Sequence, residues 1–246
     1  MKRFMVLLYG AISYAIFFAV FLYSIGFVGN FLVPNAIDSA PRVPLAQALL
    51  INLGLLGLFA VQHSLMARPV FKRWLTRFIP RAAERSTYVM ASNLAMIALF
   101  LFWEPMGIVV WDFDGAIAQT MLWLAFGFGW LLVLVSTFMI NHFDLFGLRQ
   151  VWLYFRKREY TQLEFRTTWA YRWIRHPIYL GWLFAFWATP TMTIAHLVFA
   201  LMTTAYIFIA ILLEEKDLSD AHEEYVQYKE EVPMIFPVPG RSASTV

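Results

Sequence analysis

The apolar positions of this chain come in long runs, neither alternating as in half-buried strands nor confined to one face of a helix. Phe4–Gly29, Leu45–Ala67, Ser86–Val110 and Gln119–Ile140 are apolar and nearly uncharged, and about 20 such residues carry an α-helix across a ~30 Å hydrocarbon core. A fifth stretch, Ile178–Leu213, holds 36 residues, roughly 54 Å as one helix, which overshoots that core. Its punctuation at Thr189-Pro190-Thr191-Met192-Thr193 predicts two arms joined by a tight turn, a helical hairpin over 178–213. The predicted class is therefore all-α integral membrane, with four transmembrane helices, a C-terminal helical hairpin and a cytoplasmic amphipathic tail. The expected division is 1–141 for the N-terminal helices and 142–246 for the region of the hairpin and the candidate chemistry.

The charges are sorted along the chain. Of the 19 Lys and Arg residues, 18 fall at the N-terminus, in Arg68–Arg85, in Arg149–Arg175 or after Leu213. With those segments in the cytoplasm the positive-inside rule holds for every connection. The opposite loops hold Asp38, Asp112 and Asp114, with Arg42 as their cation. The expected location is the inner (cytoplasmic) membrane, multi-pass, with the active site on the cytoplasmic side. The run after Met1-Lys2-Arg3 exceeds the roughly 7–15-residue apolar core of a secretory leader and lacks a small-x-small cleavage site, so it is read as a retained span.

Composition narrows the classes further. Hydrophobic residues make up 61% of the chain, aromatics 18% and charged residues 14%, against about a quarter charged in soluble domains. The lipid bilayer is thus a partner, and the net charge of +3 follows from the loop asymmetry without a nucleic-acid partner. The absence of Cys excludes disulfides, Cys-ligated metals and a thiol nucleophile. The five His residues, His63, His142, His176, His196 and His222, lack the paired spacing of a membrane di-iron oxidase, and no metal is expected. The Pro-rich tail from Pro233 to Val246 reads as a loosely held terminus.

The two feet of the hairpin, Arg175-His176-Pro177 and Glu214-Glu215-Lys216, return to one membrane face and bring together residues almost forty positions apart. Tyr171, Arg172 and Tyr179 accompany the first foot, and Asp217, Tyr225 and Tyr228 the second. Ionisable groups at the lipid boundary must pair or bind something polar. Interfacial anchoring, with Glu214 paired to Arg175, is one reading. The other is a zwitterionic small molecule, its amino group on a carboxylate and a cationic centre on aromatic faces.

Arg175-His176-Pro177-Ile178-Tyr179-Leu180-Gly181, followed by Glu214-Glu215-Lys216-Asp217-Leu218, Tyr225, Tyr228 and Val232-Pro233, resembles the paired signatures of the integral-membrane methyltransferases typified by isoprenylcysteine carboxyl methyltransferase. The resemblance implies S-adenosylmethionine as cofactor. It implies Tyr171, His176, Pro177, Tyr179 and Glu214 as cofactor contacts, with Glu164, Phe165 and Arg166 in a further contact segment. The prenylcysteine enzymes tend to carry an Arg four residues before the first Glu, where this chain has Ala210, which argues against a prenylcysteine acceptor. His63-Ser64-Leu65-Met66-Ala67-Arg68, Glu84-Arg85-Ser86-Thr87-Tyr88-Val89, the segment from Asn141 to Gln150 and Phe186-Trp187-Ala188-Thr189-Pro190-Thr191-Met192-Thr193 resemble the bacterial methanethiol S-methyltransferases. That resemblance implies a small-molecule thiol as acceptor, with methanethiol converted to dimethyl sulfide.

Displacement at a sulfonium methyl needs a thiolate, and an alkanethiol is a weaker acid than Cys, whose pKa is ~8.5. His142 and Asp144, where the fourth span reaches the cytoplasm, are the candidate base and its orienting partner. A His closing one helix beside an Asp opening the next segment is the structural alternative. The rings of Trp182, Phe184, Phe186 and Trp187 are expected to fill a lipid-entry groove and restrict the acceptor to small thiols. Three other functions stay open: methylation of another small or lipid acceptor, a nicotinamide-dependent membrane reductase, and a non-enzymatic accessory membrane protein or small transporter. A transporter would place ionisable residues near the midplane, whereas these charges gather at one face.

Overall fold

The computed structural model describes residues 1–161, 163, 169–221 and 223–238. In chain order the helices are α1 (Lys2–Gly29), α2 (Leu45–Ala67), α3 (Pro69–Leu75), α4 (Glu84–Phe102), α5 (Ala116–Ile140), α6 (His142–Leu145), α7 (Leu148–Phe155), α8 (Pro177–Trp187), α9 (Ile194–Ala221) and α10 (Glu223–Glu231). Two short strands, β1 (Val109–Asp112) and β2 (Thr191–Thr193), pair with each other.

The expectation of four spans with a C-terminal hairpin is corrected. Among the described residues, five helices are long and apolar enough to cross a membrane: α1, α2, α4, α5 and α9. The fifth was concealed within the unbroken apolar stretch 178–213. α9 alone has 28 residues, about 42 Å, whereas α8 has 11, about 16 Å and half a bilayer core. Between them the chain makes a strand in place of a tight turn, so the all-α expectation is corrected as well. The backbone around Pro190 finds its partners across the β1 pairing: Phe113 N donates to Pro190 O (3.1 Å) and Trp111 Nε1 to Thr189 O (3.2 Å), while Thr191 Oγ1 donates to Asp112 (2.7 Å). The third span also stops short of Val110, because Trp103 turns extended ahead of Pro105.

The described chain forms two compact units. The first comprises Met1–Ile108, Asn141–Gln162 and Thr193–His196. Its α1, at 28 residues and about 42 Å, is longer than a bilayer core. The foot of α4 meets it well above its first residue, through Ser13 Oγ to Ser86 O (2.9 Å) and Tyr9 to Thr87 (3.2 Å). The preceding turns of α1 pack instead on α7, with Val6, Ala83 and fully buried Val151 in one cluster. Asn93, 3% exposed, ties α4 to Ser13 O (3.1 Å), which satisfies a polar side chain within the bundle. At the other end Asp38 accepts from Thr193 and Asn30 and lies 3.4 Å from His196.

The second unit comprises Val109–Ile140, Leu163–Met192 and Leu197–Val246. Its framework is the close approach of α5 and α8. A Cβ at Gly129 would lie 2.5 Å from Ala185 N and 2.7 Å from Gly181 O, so only glycine admits this spacing. Trp182 and Phe186 stack at 5.2 Å, and Trp130 meets Trp182 edge-on at 5.2 Å. These two rings are packed within the unit. Phe184 and Trp187 instead line an apolar groove of about 460 Å³ with Leu122, Ala125, Leu180 and Leu183. The start of the Pro-rich tail is fixed, in contrast to the loose terminus expected. Arg175 N donates to Pro233 O (2.9 Å) and His176 N to Met234 O (3.1 Å), and Val232 and Ile235 are buried.

Candidate functional site

Pro177 at the first turn of α8 fixes where that helix begins, since its missing N–H would be unsatisfied there in any case. The residues before it, Arg175 and His176, are 9% and 5% exposed, and burying them requires partners. Glu215 near the end of α9 supplies one. Its Oε1 accepts from Arg175 Nε (2.8 Å) and His176 Nε2 (3.0 Å), and its Oε2 lies 3.1 Å from Lys229 Nζ on α10. Arg175 also donates to Lys229 O (2.8 Å) and to Val232 O. Glu215, 2% exposed, thereby holds α8, α9, α10 and the tail to one another.

Successive helical residues point about 100° apart, and Glu214 consequently faces outward. It is exposed, and its Oε2 accepts from Tyr179 OH (3.0 Å). Among the described residues no cation pairs with it, because Arg175 and Lys229 are both turned to Glu215. Tyr171 stands nearby: burial first and the negative charge of Glu214 second push its phenol pKa far up, which keeps it a neutral hydroxyl. Tyr228 OH donates to Tyr171 O, and burial raises the Tyr228 and Tyr225 phenols in the same way. The cofactor candidates Tyr171, His176, Pro177, Tyr179 and Glu214 thus belong to one unit. Glu164, Phe165 and Arg166 lie outside the described residues. The sequence places Glu215 in the second foot without distinguishing it from Glu214 and does not single out Lys229, because spacing alone does not say which of two adjacent carboxylates turns inward.

His142 and Asp144 belong to the first unit. His142 is 3% exposed and its Nε2 lies 2.8 Å from Tyr14 OH, with Phe143 and Phe146 against the ring. Burial lowers its pKa and leaves it neutral at pH 7. Asp144 is directed elsewhere, to Arg149 (2.9 Å) and Tyr160 OH (3.2 Å). The partner that the structure gives His142 is Tyr14, 128 positions away. His63, in the same unit, contacts Ser92 (3.1 Å) and Tyr88 OH (2.6 Å).

Comparison with known proteins covers nearly the whole chain. Over 244 residues the chain is 52% identical to methanethiol S-methyltransferase of Crocosphaera subtropica, covering 99% of this chain and 96% of that one. The chain belongs to the methanethiol S-methyltransferase family. It is also 51% identical over 242 residues to the methanethiol S-methyltransferase of Mycobacterium tuberculosis (98% and 99% covered). Against methanethiol S-methyltransferase 2 of Bradyrhizobium diazoefficiens it is 49% identical over 239 residues (96% and 91%). No family model matches the chain, and no solved structure matches it. Similarity at this coverage extends over both units, so the Glu214–Tyr179 pair and the His142–Tyr14 pair both lie within the part shared with the family.

Proposed function

We propose that this membrane protein is an S-adenosylmethionine-dependent thiol S-methyltransferase whose acceptor is methanethiol and whose product is dimethyl sulfide. The observation that carries the reading is the unequal treatment of two adjacent carboxylates. Glu215 is neutralised by Arg175 and Lys229, whereas Glu214 is exposed and, among the described residues, carries a hydrogen bond from the Tyr179 phenol and no cation. An exposed carboxylate beside neutral phenols fits an ammonium group, and the aromatic faces of Tyr171 and Tyr179 fit a sulfonium. Kinship with enzymes named for methanethiol supports methanethiol as the acceptor.

S-adenosylmethionine supplies an electrophilic methyl group, which forms a C–S bond with the thiolate as its bond to the sulfonium sulfur breaks and that electron pair stays on S-adenosylhomocysteine. In this reading Glu214 binds the amino group and Tyr179 orients the carboxylate. The thiol gives up its proton to a base before the transfer, the role that the sequence reading gives to His142. Holding acceptor and methyl in line and excluding water supply the remaining rate enhancement. The grouping of 18 of the 19 basic residues in alternate connections along the sequence supports a cytoplasmic side for this chemistry.

The test is calorimetric. Loss of one charge-assisted bond costs ~1.5–3 kcal/mol. Glu214→Gln should therefore raise the dissociation constant for S-adenosylmethionine at least about tenfold while the protein still inserts and folds. Unchanged affinity in the variant removes Glu214 from the site.

A further inference from the structure

Glu215 has no part in binding under the reading above, yet two of its three partners come from the Arg175-His176-Pro177 foot of α8. With the Arg175 guanidinium at Oε1 and the Lys229 ammonium at Oε2, Glu215 is an ionised carboxylate and can only accept hydrogen bonds. The His176 nitrogen 3.0 Å from Oε1 must then carry a proton. A neutral imidazole held in this way has its proton on Nε2 and its lone pair on Nδ1. Although His176 caps α8 by position, its side chain makes no capping bond, and none of the described residues donates to Nδ1. Three residues on, and so on the same face, Tyr179 carries the bond to Glu214, with the two ring centroids 5.5 Å apart.

We propose that Glu215 is a positioning residue that fixes His176 as the Nε2–H tautomer and presents Nδ1 to an N–H donor of the bound cofactor, its ammonium or the amino group of its adenine. The inference rests on the cofactor reading and deepens it. The two adjacent carboxylates then divide the work: Glu214 binds directly, and Glu215 acts through an imidazole. Carboxylates that hold ligating histidines set tautomer and ring orientation in the same manner.

The experiment uses the full-length protein in detergent micelles, labelled with ¹⁵N-histidine, and S-adenosylhomocysteine as the probe. With five histidines in the chain, a His176→Gln spectrum assigns the resonance. The expected result is the Nε2–H tautomer in the wild type, with the Nδ1 signal moving to a hydrogen-bonded position at saturating probe. In calorimetry, Glu215→Gln and His176→Ala should each weaken the probe about tenfold, and the double variant no more than either alone. A merely structural clamp would instead lower the fraction of binding-competent protein and leave the dissociation constant unchanged. The Nδ1–H tautomer, an Nδ1 signal unmoved by saturating probe, or losses that add to about a hundredfold would each overturn the proposal. Should Glu215→Gln not fold, the wild-type spectrum alone decides. A wild type that does not bind the probe at all would remove the cofactor reading itself, an outcome distinct from binding with Nδ1 unmoved.

Discussion

Gly129→Ala tests whether the α5–α8 contact sets the geometry of the site. The added methyl carbon would sit 2.5 Å from Ala185 N, 2.7 Å from Gly181 O and 2.8 Å from Phe184 Cβ. Two of these atoms are backbone and cannot rotate away. Restoring a 3.4 Å contact requires α8 to retreat by about 0.9 Å, and overpacking of this kind costs ~1–3 kcal/mol. For a chain of this size each kcal/mol corresponds to about 2–4 °C in Tm. Tryptophan fluorescence on heating in detergent should therefore show a midpoint lowered by roughly 2–12 °C. Tyr179 rides on α8, and its 3.0 Å bond to Glu214 does not survive a shift of that size, so cofactor affinity should fall as well. Gly127→Ala on the same helix is the control: nothing lies within 4 Å of its added carbon, and replacing a helical glycine there stabilises by up to ~1 kcal/mol. A Gly129→Ala protein that melts with the wild type, or with Gly127→Ala, would refute the argument.

Two further outcomes are expected. The chain has no Cys, so single substitutions report topology cleanly: Glu230→Cys should react only with reagent on the cytoplasmic side and Asp114→Cys only with reagent outside, and the reverse pattern would invert the proposed orientation. Because burial holds the His142 pKa below its ordinary value, the unfolded chain binds more protons between the depressed pKa and ~6.5. The stabilisation is fully present above ~6.5 and is lost as pH falls through this window, so Tm measured against pH should decline there in the wild type and decline less in His142→Phe.

Much of the scaffold could be read from the sequence, because membrane spans are local: a run such as Leu45–Ala67 is both the signal and the helix. The fifth span could not be separated in this way, since Ile178–Leu213 has no charge inside it and its division depends on a strand pairing with residues 109–112. The same limit applies at the site. Arg-His-Pro and Glu-Glu are visible as motifs, but which glutamate is neutralised depends on the rotation of α9 against α8 and α10. Asp144 was the nearest acidic neighbour of His142 in sequence. The partner found in space, Tyr14, lies in an apolar span 128 positions away, with no local feature to mark it. The composition of the tail points to a loose terminus, yet its start is held through backbone bonds from Arg175 and His176 to Pro233 and Met234, which composition does not reveal.

The most direct test of the account is transfer of the methyl group itself. Purified protein in lipid nanodiscs would receive methyl-deuterated S-adenosylmethionine and methanethiol, with headspace mass spectrometry for dimethyl sulfide and chromatography for S-adenosylhomocysteine. Dimethyl sulfide carrying one deuterated methyl group is expected, formed in equal amount with S-adenosylhomocysteine and greatly reduced in Glu214→Gln at limiting cofactor. Bound cofactor with no labelled dimethyl sulfide formed, or dimethyl sulfide formed at the wild-type rate by Glu214→Gln at limiting cofactor, would contradict it.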